Sequence, residues 1–177
     1  SPRGLTFAQF SHSNLEAVQR VRERLPWYVP HVAFEGPTIP KEGIEVFTSA
    51  YPFLVGLESS DEAMVYSMVK IMHTHFEEYK NNAPGAGGWT LDRQKFEQAF
   101  VPFHEGAIRY YKEIGAWTEE AEENNQKNLY RQSILKEAWD QFLPSAPAGY
   151  QEFELAWTKF REQALARVKL ITLGQGL

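Results

Sequence analysis

Before residue 58 the apolar residues of this chain come in short runs that glycine and proline interrupt; after residue 59 they recur every three or four positions. The two patterns demand different backbones. Short apolar runs bounded by breakers suit strands and shaped loops, whereas a 3.6-residue recurrence suits amphipathic helices. The expected fold class is therefore α/β and helix-rich, with extended segments first and about five helices after residue 60. A sheet of two or three N-terminal strands is small for so many helices, and parallel strands need neighbours and cover on both faces. The order reads as the later part of a larger α/β architecture, with a strand-rich crossover segment over 1–58 and a helical part over 59–177.

Local signals place the elements. "LTFAQF" is a candidate strand. In "SHSNLEAVQRVRERLP", Ser13 or Asn14 can cap a helix whose apolar positions are Leu15, Val18, Val21 and Leu25, and Pro26 stops it. "WYVPHVAF" is extended but carries Pro30, which suits an edge strand or a loop. "SAYPFLVGL" reads as a buried strand. "SSDE" has the form of a capping box with Ser59 as N-cap and Glu62 reaching back. Val65, Met68, Met72, Phe76 and Tyr79 then share one helical face. "NNAPGAGG" is a break, and Thr90 is placed to cap a short helix over "LDRQKFEQAF". Thr118 opens a long helix to about Phe142, and a last one runs from about Tyr150 to Val168 with the face Phe153, Trp157, Phe160 and Ala164.

Between these lies "HEGAIRYYKEIGAW", where Ala107, Tyr110, Tyr111 and Ile114 form an apolar stripe. Gly115 supplies a left-handed terminator. Gly106, inside the first turn, admits a neighbouring backbone that a side chain would exclude. His104 is placed to cap the exposed amides at the helix start.

Several function classes lose support. The net charge is −5, and no Lys/Arg run exceeds two residues. A nucleic-acid surface needs clustered cations, so no nucleic-acid partner is expected. The absence of cysteine excludes disulfides, thiolate metal sites and thiol catalysis. No apolar run approaches the ~20 residues that span a bilayer. "SPRGLTFAQF" has none of the regions of a signal peptide, so either the protein is cytosolic or its targeting segment lies outside this chain. His73 and His75 sit about 200° apart on a helix and cannot share an ion. The Glu pairs at 77–78, 119–120 and 122–123 fall on solvated faces, without the burial that splits the pKa values of an acid/base pair. No nucleophile elbow, phosphate loop or dinucleotide fingerprint is present. Neither an enzyme activity nor a cofactor or metal is expected.

One stretch has the make-up of a binding segment. "FEGPTIPKEGIEVFTSAYPFL" brings small, polar and aromatic residues to an irregular connection entering a strand, where α/β proteins hold ligands. The candidate ligand-binding residues are Thr38 and Ser49 as hydrogen-bond donors, with Phe47 and Tyr51 as apolar walls. Lys41 is the nearest cation. A purely structural crossover is the competing reading.

"VPFHEGAIRYYKEIGAWTEE" resembles a helix motif of TRAP-transporter solute-binding proteins of the TAXI family, an apolar–Pro–x–His–Pro–Gly–Ala–x–x–Tyr–Tyr–x–Glu pattern. Pro102, His104, Gly106, Ala107, Tyr110, Tyr111 and Glu113 match it, while Glu105 replaces a proline. "TIPKEGIEVFTSAYPFLV" and "SSDEAMVYSMVKIM" are similar to the segments preceding that motif, and the tail over 124–168 looks like a C-terminal extension of one branch. The resemblance implies part of a type II periplasmic-binding architecture and a periplasmic protein. It would capture a small organic anion such as a carboxylate for the membrane subunits of a TRAP transporter. Such proteins are usually longer, with a glycine-rich first lobe that this chain lacks, so the chain would hold one side of a two-lobe cleft. With that lobe missing, the apolar faces of the 107–114 helix and of the last two helices are expected to drive homodimerisation. The alternative is a helical protein-interaction module with no small ligand.

Overall fold

The computed structural model describes residues 4, 6–34, 36, 38–49, 53–83 and 85–172. They fall into two compact units, one of residues up to 51 with the segment from Ile171, the other from 52 to Leu170.

The first unit holds a helix, α1 (Leu15–Arg24), and a two-stranded antiparallel sheet of β1 (Val29–Ala33) and β2 (Ile44–Thr48). Asn14 caps α1, its side-chain oxygen accepting from the Ala17 amide at 3.0 Å. β1 tolerates Pro30 because it has a strand on one side only; Pro30 pairs with Phe47 and Val32 with Glu45. Ile44 is the buried residue of β2. The strand is thus "IEVFT"; of the "SAYPFLVGL" run, residues 50–52 lie outside the described residues. Residues 53–57 have no partner strand, and Phe53, Leu54, Val55 and Leu57 are exposed. Apolar content alone could not choose between the two runs, because the pairing partner decides. Residues 6–10 likewise form no strand: only the Phe10 amide bonds to the sheet, at the Glu45 carbonyl, 2.9 Å away.

The second unit is helical: α2 (Glu62–Thr74), α3 (Phe76–Tyr79), α4 (Glu105–Glu113), α5 (Glu119–Phe142) and α6 (Tyr150–Arg167). α2 starts later than the capping-box reading placed it. Asp61, not Ser59, is the N-cap, accepting from the Met64 amide at 2.7 Å. The 91–100 segment is no helix capped by Thr90. It holds two 3-10 turns, Leu91–Arg93 and Phe96–Gln98, after a third at Ala86–Trp89, and the Thr90 hydroxyl donates to Asp92 instead.

α2 and α4 pack closely. A methyl group at Gly106 would press on the Glu62 carbonyl oxygen, and would lie 2.8 Å from the Tyr66 nitrogen and 3.0 Å from Val65 Cβ. The glycine is there because another helix backbone occupies the space. α4 ends in a Schellman turn, with Gly115 at φ 70°, its amide on Lys112 and the Ala116 amide on the Tyr111 carbonyl at 2.8 Å. Ala107, Ile108 and Tyr110 are buried, so α4 is covered on more than the expected stripe.

α5 begins at Thr118, whose hydroxyl accepts from the Ala121 amide at 3.1 Å. It packs against α6 through Trp139 and Phe142, which meet Phe153, Trp157 and Phe160. The faces expected to stay open without a second lobe therefore cover one another within the unit. α5 also holds the irregular 96–103 segment. The Phe103 amide donates to Asn125 Oδ1 at 2.8 Å, and Asn124 and Asn128 both donate to the Ala99 carbonyl at 2.8 Å. Beneath these contacts Phe96, Phe103, Tyr111 and Trp117 cluster, and burial pushes the Tyr111 hydroxyl up to about 12. Among the described residues no helix is long and apolar enough to cross a membrane.

Candidate functional site

Three of the four residues singled out from the sequence lie on the β1–β2 hairpin and its exit; Tyr51 falls outside the described residues. Thr38 sits on the connecting loop with φ 70°. A β-branched side chain is rarely tolerated there, and such strain costs on the order of 1–3 kcal/mol. Strained residues of this kind collect at functional sites, which makes Thr38 the most informative residue of the segment. Phe47 is half-buried on β2, meeting Phe10 and His12 edge-on at 6.0 and 6.2 Å. Ser49 follows the strand, half-buried, and its hydroxyl has no hydrogen-bond partner among the described residues. Lys41 on the same loop is exposed and makes no ion pair among them. His12 fastens the N-terminal segment to this hairpin, with its Nε2 hydrogen-bonded to the Val46 carbonyl at 2.9 Å.

An open depression of about 320 Å³ in the same unit lies along α1, lined by Leu15, Val18, Gln19, Arg22, Glu23 and Pro26. None of the proposed ligand residues lines it. A single helix face supplies its walls, without the convergent polar groups of a ligand pocket.

Sequence reasoning missed a polar seam between α2 and α4. Tyr66 donates to Glu113, and Lys70 Nζ donates to the Tyr66 hydroxyl at 3.0 Å and to Glu113 at 3.2 Å. Arg109 pairs with Glu62 at 2.6 Å while its guanidinium lies 4.2 Å from the Tyr66 ring centre. The Tyr66 hydrogen bond, and then Lys70, hold the Glu113 carboxyl below its usual range. The same Tyr66 bond and then Glu113 hold Lys70 above its own. His73 joins the seam as well, its Nδ1 hydrogen-bonded to the hydroxyl of the buried Tyr110 at 2.6 Å. The signal was present as polar residues at 62, 66, 70 and 73, one stripe of a helix. Every charge in the seam is matched by a partner, which fits a locking role better than a binding one.

His104 does what a capping residue should. The Gly106 amide donates to its Nδ1 at 3.1 Å, which leaves the proton on Nε2, donated to the Ser60 carbonyl at 3.1 Å. Among the described residues no group of three or more His, Asp or Glu could hold a metal ion.

Residues 4–115, more than half of the chain, match the NMT1-like family. The chain belongs to the NMT1-like family. That family is related to periplasmic binding proteins, and membership suggests a substrate-binding protein of transporter type. Neither a curated protein nor a solved structure gives a significant match. The NMT1-like span covers α1, the hairpin and α2 to α4, and it closes at the Gly115 turn; α5 and α6 lie beyond it.

Proposed function

We propose that this NMT1-like chain is part of a periplasmic solute-binding protein that captures a small organic anion, a carboxylate, and delivers it to the membrane subunits of a TRAP transporter of the TAXI class. Family membership over residues 4–115 carries the reading. The strained Thr38 supports the location of the site. On this reading the β1–β2 hairpin belongs to one wall of a type II binding cleft. The Thr38 and Ser49 hydroxyls donate to the carboxylate, Lys41 offsets its charge, and Phe47 and Tyr51 flank its carbon skeleton. The ligand is bound and released without chemical change.

Titration calorimetry with short mono- and dicarboxylates, against the matching amides, tests the ligand class. Thr38→Gly and Ser49→Ala test the place. Glycine removes both the hydroxyl and the strain of a positive φ, worth about 1–2 kcal/mol, against about 0.5–1 kcal/mol of added chain entropy. Thr38→Gly should therefore fold at least as stably as the parent and bind a carboxylate about 1–3 kcal/mol more weakly. Equal affinity in both variants, or no preference for carboxylate over amide, would sink the assignment.

A further inference from the structure

The histidines of this chain meet two kinds of partner. His12 and His75 lie within ion-pair reach of carboxylates, Glu45 at 3.7 Å and Glu78 at 2.7 Å. His73 and His104, the two that join α2 to α4, are hydrogen-bonded to neutral groups, and among the described residues no carboxylate comes that close to either ring. They hold opposite ends of the seam. His104 caps the start of α4 and reaches the Ser60 carbonyl just ahead of α2; His73, in the last turn of α2, reaches Tyr110. Both positions require a bare Nδ1. The Gly106 amide can only donate, so His104 Nδ1 accepts, and the positive end of α4 opposes a further proton there. The Tyr110 hydroxyl is buried and finds no other acceptor among the described residues, so it donates to His73 Nδ1.

We propose that His73 and His104 make the α2–α4 seam an acid-released latch, closed while both rings are neutral and opened at its two ends when they take up protons. A proton on His104 Nδ1 sets N–H against the Gly106 N–H and removes the cap of α4. A proton on His73 Nδ1 leaves the buried Tyr110 hydroxyl without an acceptor. The surrounding charges do not hold the added protons. Lys70, one turn before His73, brings its ammonium to 5.9 Å from the Tyr110 ring and repels a second cation. On α4, Glu113 is engaged by Tyr66 and Lys70, and Arg109 by Glu62 of α2. Asp61 accepts from the Met64 amide, Glu77 of α3 pairs with Lys80, and Glu105 is exposed. α5 presents the neutral Asn125 to the residue before His104. The Tyr66 hydrogen bond, then their mutual pairing, keeps Lys70 and Glu113 charged in mild acid, so the middle of the seam stays paired while its ends let go.

Two measurements on the intact chain test the latch. Nitrogen-15 shifts of the histidine rings at about pH 7.5 should place the proton of both His73 and His104 on Nε2. On acidification both rings should stay neutral after those of His12 and His75 have charged. Urea unfolding supplies the second readout. An unfolded histidine, titrating near about 6.5, goes from mostly neutral at about pH 7.5 to mostly charged at about pH 5.5, so each ring that the fold keeps neutral raises the unfolding constant by up to about tenfold over that interval. The parent should therefore lose about tenfold or more beyond the loss of a His73→Gln/His104→Asn double variant, whose folding at neutral pH circular dichroism checks. Replacing His12 and His75 by glutamine instead should leave the acid loss at least as large as in the parent. If the double variant does not fold, the ring shifts of the parent decide alone. A proton on Nδ1 of either ring at neutral pH, titration of His73 and His104 together with the other two, or equal acid loss in parent and double variant would each overturn the proposal.

Discussion

Gly106→Ala isolates the contact on which the α2–α4 seam depends. In an open helix this change stabilises by about 0.5–1 kcal/mol, because alanine loses less chain entropy. Here the new methyl meets the Glu62 carbonyl and the Tyr66 nitrogen, which are backbone atoms with no rotamer to escape into. Relief requires α2 as a whole to move outward, at the cost of about 1–3 kcal/mol typical of overpacked sites. The balance is a net loss of about 1–2 kcal/mol. The movement also stretches the Arg109–Glu62 pair and the Tyr66–Glu113 hydrogen bond, so the loss should be partly shared with Glu62→Gln in a double-mutant cycle. Urea titration followed by tryptophan fluorescence reads both effects, as a lower midpoint at unchanged slope. A Gly106→Ala variant that is more stable than the parent, or strictly additive with Glu62→Gln, would refute the close-approach argument.

His104→Ala removes a cap and a second hydrogen bond, and should cost about 1–2 kcal/mol; His104→Asn, which retains a capping oxygen but cannot reach Ser60, should recover part of it in the same titration. Asn125→Leu leaves the Phe103 amide without its acceptor and should cost about 1–3 kcal/mol, whereas Gln151→Leu, at an exposed position of α6, should be near neutral by thermal unfolding. Hydrogen bonds from Gln126 and Trp117, then from Lys112, hold the Glu122 carboxyl at about 2 against an ordinary 4.5. As pH falls through that window the unfolded chain takes up a proton that the folded one refuses, so stability drops. The stability gap between parent and Glu122→Gln should be full above about pH 4.5 and close toward pH 2; a gap independent of pH would refute it.

What was legible in the sequence was what neighbours in the chain decide. Asn14, Thr118 and His104 were readable as caps, and Gly115 as a terminator, because each acts within four residues of itself. Misreadings came where a distant partner chooses. Val29–Ala33 selects Ile44–Thr48 as its strand over the equally apolar 49–57 run. The 3.6-residue period put Met68 on one apolar face with Val65 and Met72, but α2 turns its Glu62–Lys70 stripe to the matching charges of α4, and Met68 is left exposed. For the candidate site the sequence offered side-chain types and their place along the chain, and no more. The left-handed Thr38 was not legible, since residue type argues against that conformation.

The three asparagines of α5 carry a consequence for the order in which this chain assembles. Beyond the 3-10 turn at Phe96–Gln98, residues 96–103 have no helix or strand ladder for their backbone, and side chains 22 to 29 positions later in sequence bond to it. The segment cannot hold its shape until α5 has formed and docked, however early α2 and α4 meet. Its amides should exchange with solvent at the rate at which α5 lets go, which makes the Phe103 N–H a reporter of that distant event. A chain cut at Gly115, where the family-matched span ends, would leave the Phe96 and Phe103 rings without their cover and the loop without its fastening.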